Sequence, residues 1–184
     1  MKDYKHIQLD FPTQRLLAEW KRVHSDRFYT IDISREQLSK ALSKTRTYHL
    51  RVPIIDNITI VKTESTQNLI NCKDTGLYAL FPVMKSVIDK IGQELFGGWK
   101  IMGRVFVTRL DPNESIGRHI DEGNYFETLH RFHIPLQTSG SLFKWDDSCV
   151  HLNEGQLWKL NNSIPHWVEN TSKQWRTHLI FDAC

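Results

Sequence analysis

Two hydrophobic periodicities divide the chain. In "TQRLLAEWKRV" (13–23), Leu16, Leu17, Trp20 and Val23 recur at helical spacing among polar residues, predicting an amphipathic helix. "SREQLSKAL" (34–42) opens on Ser34 with Gln37 three positions on, the arrangement of a helix N-terminus whose side chains cap each other's backbone. A longer run, "GLYALFPVMKSVIDKIGQELFGG" (76–98), predicts an amphipathic helix closed by Gly97 and Gly98. Between these, "HLRVPIID" (49–56) and "ITIVKT" (58–63) are rich in β-branched residues and read as strands.

From Lys100 onward the pattern shortens to β segments at intervals of about ten residues with turn signals between them, the mark of an antiparallel sandwich or barrel. The segments are "KIMGRVFVTRL", "RFHIPLQT", "SLFKW", "QLWKL", "PHWVEN" and "WRTHLIFDA", and the turns are "DPNES", "TSG", "NEG" and "NTSK". A helical layer followed by such a series predicts a mainly β fold with some α: a closed or nearly closed jelly-roll, with N-terminal helices packed on one outer face. No linker or repeat interrupts the chain. Its 184 residues are therefore expected to form one domain, with 1–99 as a mixed α/β support on the substrate side and 100–184 as the β-roll.

Composition changes this picture little. A hydrophobic fraction of 40% and a charged fraction of 24% are those of an ordinary packed protein. The net charge of +3 is spread along the chain, so nucleic acid is permitted as a partner but not indicated. The opening "MKDYKHIQLDFPTQ" lacks the apolar core of a secretory signal, and no window approaches about eighteen uncharged apolar residues. A cytoplasmic protein without a membrane partner is expected. Cys72, Cys149 and Cys184 are too few and too far apart for a disulfide framework or a zinc ribbon, and are expected to be reduced, inert thiols.

Charge and histidine, by contrast, concentrate in "RHIDEGNYFETLHRFHIPLQT" (118–138), where a fold needing only a core would place valine and leucine. Six of the nine histidines fall after residue 118. In extended backbone His119 and Asp121 leave the same face, bringing one nitrogen and one carboxylate together. His166, expected to open a strand hairpinned with "WRTHLIFD", is the best-placed third ligand, and His178 is its rival. Two histidines and one carboxylate leave coordination positions open, an arrangement suited to non-haem Fe(II) oxygenases. By strand alternation Arg176, His178, Ile180 and Asp182 share one face, and Arg131 and His133 likewise project together. A buried guanidinium demands an anion, and its planar fork fits a carboxylate. Either arginine taken alone is equally well explained by an internal acid such as Asp182 or Glu127. Two inward cation pairs beside a metal triad together favour a dicarboxylate cosubstrate.

Taken in order, "HID" at 119–121, "RFHIPL" at 131–136, "LWKLNNSIPHWVEN" at 157–170 and "RTHLIFD" at 176–182 resemble the Fe(II)/2-oxoglutarate-dependent oxygenases, and among them the aspartyl/asparaginyl β-hydroxylase family, which includes bacterial proline hydroxylases. The resemblance covers roughly residues 100–184. It implies that His119, Asp121 and His166 hold Fe(II), that Arg176 binds the distal carboxylate of 2-oxoglutarate, and that Arg131 and His133 lie near the carboxylate that chelates the metal. It further implies a dioxygenase that uses O2 and 2-oxoglutarate to hydroxylate a C–H bond of an amino acid, or of an amino-acid residue in a peptide or protein, with proline and Asp/Asn the leading choices. Members acting on aspartyl and asparaginyl residues commonly lack the metal carboxylate, whereas Asp121 is present here. An oxygenase acting on a nucleobase or another small metabolite, and a non-catalytic cupin-like metal-binding roll, are the alternatives.

Substrate contacts are expected from the rim. "DEGNYFETLH" (121–130) is the lid candidate, with Gly123 and Asn124 as its turn and Tyr125 or Phe126 closing over a ligand. Arg109, Arg118, Asp146 and Asp147 are candidate polar contacts. Phe132, Trp158 and Trp167 are expected to pack the core and to help exclude water.

Overall fold

The computed structural model describes residues 3–29, 44–54 and 71–184. The helix expected at 34–42, the strand at 58–63 and the last two residues of the strand expected at 49–56 lie outside these residues. In chain order the described elements are β1 (Tyr4–Ile7), α1 (Thr13–Val23), β2 (Thr45–Pro53), β3 (Cys72–Asp74), α2 (Pro82–Phe96), β4 (Met102–Leu110), β5 (Ser115–His119), α3 (Asn124–Thr128), β6 (His130–Gln137), β7 (Ser141–Trp145), β8 (Ser148–Val150), β9 (Leu157–Leu160), β10 (His166–Asn170) and β11 (Arg176–Ala183), with 3-10 turns at Asp26–Phe28 and Gly76–Leu80.

The strands form two antiparallel sheets, one in the order β1-β9-β6-β11-β4-β2-β3 and a smaller one in the order β5-β10-β7-β8. Strict alternation assigns each strand of the large sheet two duties. One face of that sheet contributes Leu50, Val105, Val107, Phe132, Ile134, Leu136, Leu179 and Phe181 to a core shared with Leu16, Leu17 and Trp20 of α1 and Met84, Val87, Ile88 and Ile91 of α2. Its other face supplies Leu110, Trp158 and Leu160, which pack with Ile116, Phe143, Trp145 and Val168 of the small sheet. The expected jelly-roll with helices on one outer face is thus present, and the strands before residue 100 belong to its large sheet.

The two helices are joined by a buried acid. Glu19 of α1 is 3% exposed, and its carboxylate accepts the backbone N–H groups of Val83 (2.8 Å) and Met84 (2.7 Å), two of the donors that the first turn of α2 cannot satisfy internally. The helix expected from residue 76 begins only at Pro82. Proline suits the first helical position but drives the residue before it out of helical backbone, and Phe81 accordingly sits at φ −121°, ψ 59°. The predicted stop holds, with Gly97 left-handed at φ 71°.

His166 does not open the hairpin with the Arg176 strand that the sequence leads us to expect: β10 pairs with β5 and β7 in the small sheet, and β11 with β4 and β6 in the large one. "NTSKQ" therefore carries the chain across the roll. His166 arrives at the site from the opposite wall to Arg176.

Candidate metal centre

The small sheet sets the first two histidines side by side. His119 ends β5, His166 begins β10, and the two are register partners with ring centroids 4.3 Å apart. Asp121 follows two residues after His119, its N–H donating to the Asn162 carbonyl at 3.0 Å. One ligand-capable atom from each of His119, Asp121 and His166 lies within 4.8 Å of the others. His178, the rival, lies instead with Arg176 and His133.

Outer contacts prepare each donor. Nδ1 of His119 donates to the Gly117 carbonyl (2.7 Å) and Nδ1 of His166 to the Ile164 carbonyl (2.9 Å), so Nε2 is the nitrogen each ring has left for a ligand. Burial is the main reason that the His166 imidazole is pushed down to about 4, which keeps it neutral and able to ligate. Asp121 accepts Nη1 of Arg131 (2.6 Å) and Nδ2 of Asn162 (2.7 Å), both on Oδ2, while Oδ1 faces Nε2 of His119 at 4.0 Å. Burial works against the charged carboxylate, but the Arg131 charge and the Asn162 bond prevail and hold it below the usual range. Two imidazoles and one carboxylate on one side of an ion leave the remaining positions open. The donor set suits a divalent first-row metal.

The large sheet supplies the cations. Arg176 is 3% exposed and has no carboxylate within ion-pair reach among the described residues. Its Nη2 donates to Nδ1 of His178 at 3.1 Å, and burial alone lowers the guanidinium to about 9, so it is charged at neutral pH. Nδ1 of His178 also lies 3.2 Å from Nδ1 of His133. Since arginine only donates, the proton in that contact belongs to His133. Nε2 of both histidines is buried without a hydrogen-bond partner among the described residues. Burial first, and the Arg176 charge second, hold both rings well below the usual histidine range. The charged Arg176 fork beside the unsatisfied Nε2–H of His178 is a site prepared for an anion, whereas Nε2 of His133 offers only a lone pair. Phe143 closes one side, stacked on His166 (5.5 Å) and edge-on to His133 (5.9 Å).

Arg131 is placed differently from Arg176. Its Nε and Nη2 donate to Oδ1 and Oδ2 of Asp182 at 2.7 and 3.0 Å, so the internal acid weighed for it is its partner, and its third arm holds Asp121. Tyr125 does not close over the site: it is 3% exposed and donates to Asp182 at 3.0 Å. The turn expected at Gly123 and Asn124 gives way to the single-turn helix α3. Arg109 is buried against Tyr29 and Trp175 and bonds Asp26 at 2.7 Å. Arg118 and Asp146 pair with each other at 2.7 Å on the surface, and Asp147 is exposed. Phe132 packs in the helix-facing core, Trp158 inside the roll, and Trp167 is half-buried. Asn162, Tyr125 and Arg104 join this network through contacts between residues far apart in sequence that no local pattern announces. No helix among the described residues is long and apolar enough to cross a membrane.

Comparison with known proteins bears on the fold and the family. The solved structures it resembles include a Pseudomonas putida prolyl-4-hydroxylase, 14% identical, TM-score 0.56, over 98% of this chain and 91% of that one. Another is an oxidoreductase of the 2OG-Fe(II) oxygenase family from Burkholderia pseudomallei, 11% identical, TM-score 0.52, over 97% and 93%. At these identities the likeness is one of fold. Residues 64–184 match the family model described as aspartyl/asparaginyl beta-hydroxylase, and the chain belongs to that family. L-proline cis-4-hydroxylase of Rhizobium meliloti (strain 1021) is 34% identical over 77 residues, 41% of this chain; the match spans 28% of that protein's length.

Proposed function

We propose that the protein is an Fe(II)- and 2-oxoglutarate-dependent dioxygenase that hydroxylates a C–H bond of an amino acid, or of an amino-acid residue in a peptide or protein. The observation that carries this reading is the convergence of His119, Asp121 and His166 within 4.8 Å beside a buried arginine that no carboxylate neutralises among the described residues. A metal-binding roll that took no anion has no use for Arg176. Family membership and the proline hydroxylase relative support an amino-acid substrate. Proline and Asp/Asn are the leading choices, and retention of Asp121 sets the chain apart from members that dispense with the carboxylate ligand.

When bound, the ferrous ion and 2-oxoglutarate supply the oxidising chemistry, in which O2-dependent decarboxylation to succinate and CO2 accompanies hydroxylation of the substrate. The chain's own residues bind, orient and exclude water. His119, His166 and Asp121 would hold the metal. Arg176, whose Nη2 bonds His178, would take the distal carboxylate of 2-oxoglutarate. His133 would lie near the chelating end, and Arg131 would act there by holding Asp121.

The test is anaerobic titration of the Fe(II)-loaded protein with 2-oxoglutarate, followed by succinate release with L-proline and with Asp- or Asn-containing peptides. A weak visible charge-transfer band on adding 2-oxoglutarate, and succinate formed in step with one of these substrates, are expected. Iron binding without the band would replace this reading with a metal-binding roll.

A further inference from the structure

We propose that Asp182, which touches neither metal nor substrate, is a positioning residue that fixes the metal-binding geometry of Asp121 through Arg131. The inference rests on the metal-site reading above. Asp182 is 1% exposed on the last strand. Its carboxylate receives Nε and Nη2 of Arg131 and the Tyr125 hydroxyl (3.0 Å), with Nη2 of Arg104 at 3.3 Å. That hydroxyl in turn accepts the backbone N–H of Arg104 at 3.0 Å. Strand β4, helix α3 and strand β6 therefore all meet on one buried anion.

The consequence lies at the other end of the arginine. A guanidinium is a rigid plane, so gripping two of its nitrogens dictates where the third points. Here the third, Nη1, meets Asp121 on Oδ2 at 2.6 Å, on the same oxygen that Asn162 holds at 2.7 Å. Rotation about the terminal bond of an aspartate is otherwise soft. Two donors on one oxygen stop it and leave Oδ1 to the metal side. Without Asp182, Arg131 is a buried cation whose remaining anion among these contacts is Asp121. Its fork then turns onto both Asp121 oxygens, the usual arginine–carboxylate geometry, and competes with the metal for Oδ1. Asp182 thus holds Arg131 to a one-oxygen grip. A purely structural ion pair has no need of the third arm.

Binding of Mn(II) to the metal-free protein, followed by calorimetry and by the Mn(II) EPR signal, tests this without reference to turnover. Asp182→Asn keeps the side-chain shape and is expected to weaken Mn(II) binding by about 10–100-fold, the range for residues that orient a ligand. In an Asp121→Ala background the same substitution is expected to change the residual affinity by less than about twofold, because two changes acting through one ligand do not add. Tyr125→Phe, which removes a single donor from Asp182, gives a smaller loss in the same direction and serves if Asp182→Asn does not fold. Unchanged Mn(II) affinity in either folded variant, or equal losses with and without Asp121, overturns the positioning role. Wild-type protein that takes up no Mn(II) overturns the metal-site reading itself and the inference with it.

Discussion

A guanidinium removed from water without a carboxylate beside it is unstable unless something else brings the charge, and Arg176 is in that position among the described residues. Its hydrogen bond to His178 satisfies one donor and leaves the charge unmet. Arg176→Ala is expected to weaken 2-oxoglutarate binding by about 100-fold, the loss of a desolvated charge pair, while Mn(II) affinity stays within about threefold. Loss of the fold in that variant would identify Arg176 as a structural residue instead. The same two titrations separate the histidines. His166→Ala is expected to abolish metal binding. His178→Ala keeps the metal and weakens 2-oxoglutarate by about tenfold, through the arginine it steadies. The reverse pattern would make His178 the third ligand. The candidate site was legible to this extent in the sequence because spacing is a local property: "RTHLIFD" places Arg176, His178 and Asp182 on one face whatever strands lie beside it, and "HID" sets His119 and Asp121 two residues apart. The partner that Arg131 takes is not local, and spacing alone left an internal acid and a ligand equally good answers.

At the scale of elements, what was legible followed the strength of each local signal. Strands β4, β6, β7, β9, β10 and β11 carry clear apolar alternation and fall where expected. β5 ("SIGRH") contains one strongly apolar residue and becomes a strand through its neighbour β10, so it escaped notice as an element, although it positions His119. The expected hairpin of β10 and β11 followed the general tendency of consecutive strands to pair, which a jelly-roll defeats by sending alternate strands to opposite sheets. Tight approaches between elements are equally hidden. Gly103 on β4 is one: a Cβ there meets the Tyr125 hydroxyl at 2.6 Å, Leu129 Cδ1 at 2.7 Å and the Asp182 carbonyl at 3.0 Å. Because Tyr125 is buried and bonded on both sides, it cannot swing clear. Gly103→Ala is expected to cost about 1–3 kcal/mol, roughly 2–10 °C in melting temperature for a chain of this size. Gly76→Ala, where nothing lies within 4 Å, is the control and leaves stability within about 0.5 kcal/mol. Equal melting temperatures for the two variants would show that α3 is not packed against β4 as described.

For the whole molecule, the roll interior encloses an unusual number of groups that folding keeps from protonating. Burial depresses His133, His166 and His178, the first and last well below the ordinary value and His166 to about 4. Unfolded, each takes up a proton near pH 6.5. Between their folded values and about pH 6.5 the unfolded chain binds more protons than the native one, so native stability falls as the pH is lowered through this window. The slope approaches about 1.4 kcal/mol per pH unit for each histidine held neutral. Asp121 and Asp182 act in the same sense at lower pH. In both, burial opposes ionisation but the Arg131 charge leads the effects that depress them below the unfolded value, so their contribution is complete above about pH 4 and is lost as the pH falls through the folded value. No buried group in this set compensates, because Arg131 and Arg176 keep their charge throughout. The metal-free protein, kept so by a chelator, should therefore show a melting temperature that declines steadily from pH 6.5 to pH 4.5, and His178→Phe should make that decline shallower, since one histidine held neutral by the fold is removed. Adding Mn(II) should steepen the wild-type decline further, because protonation of the ligands releases the metal and with it the stabilisation that binding gives the native state. A melting temperature unchanged between pH 6.5 and 5 would mean that these histidines are hydrated in solution, and that the roll interior is open to water where the packing of Phe143 against His133 and His166 closes it.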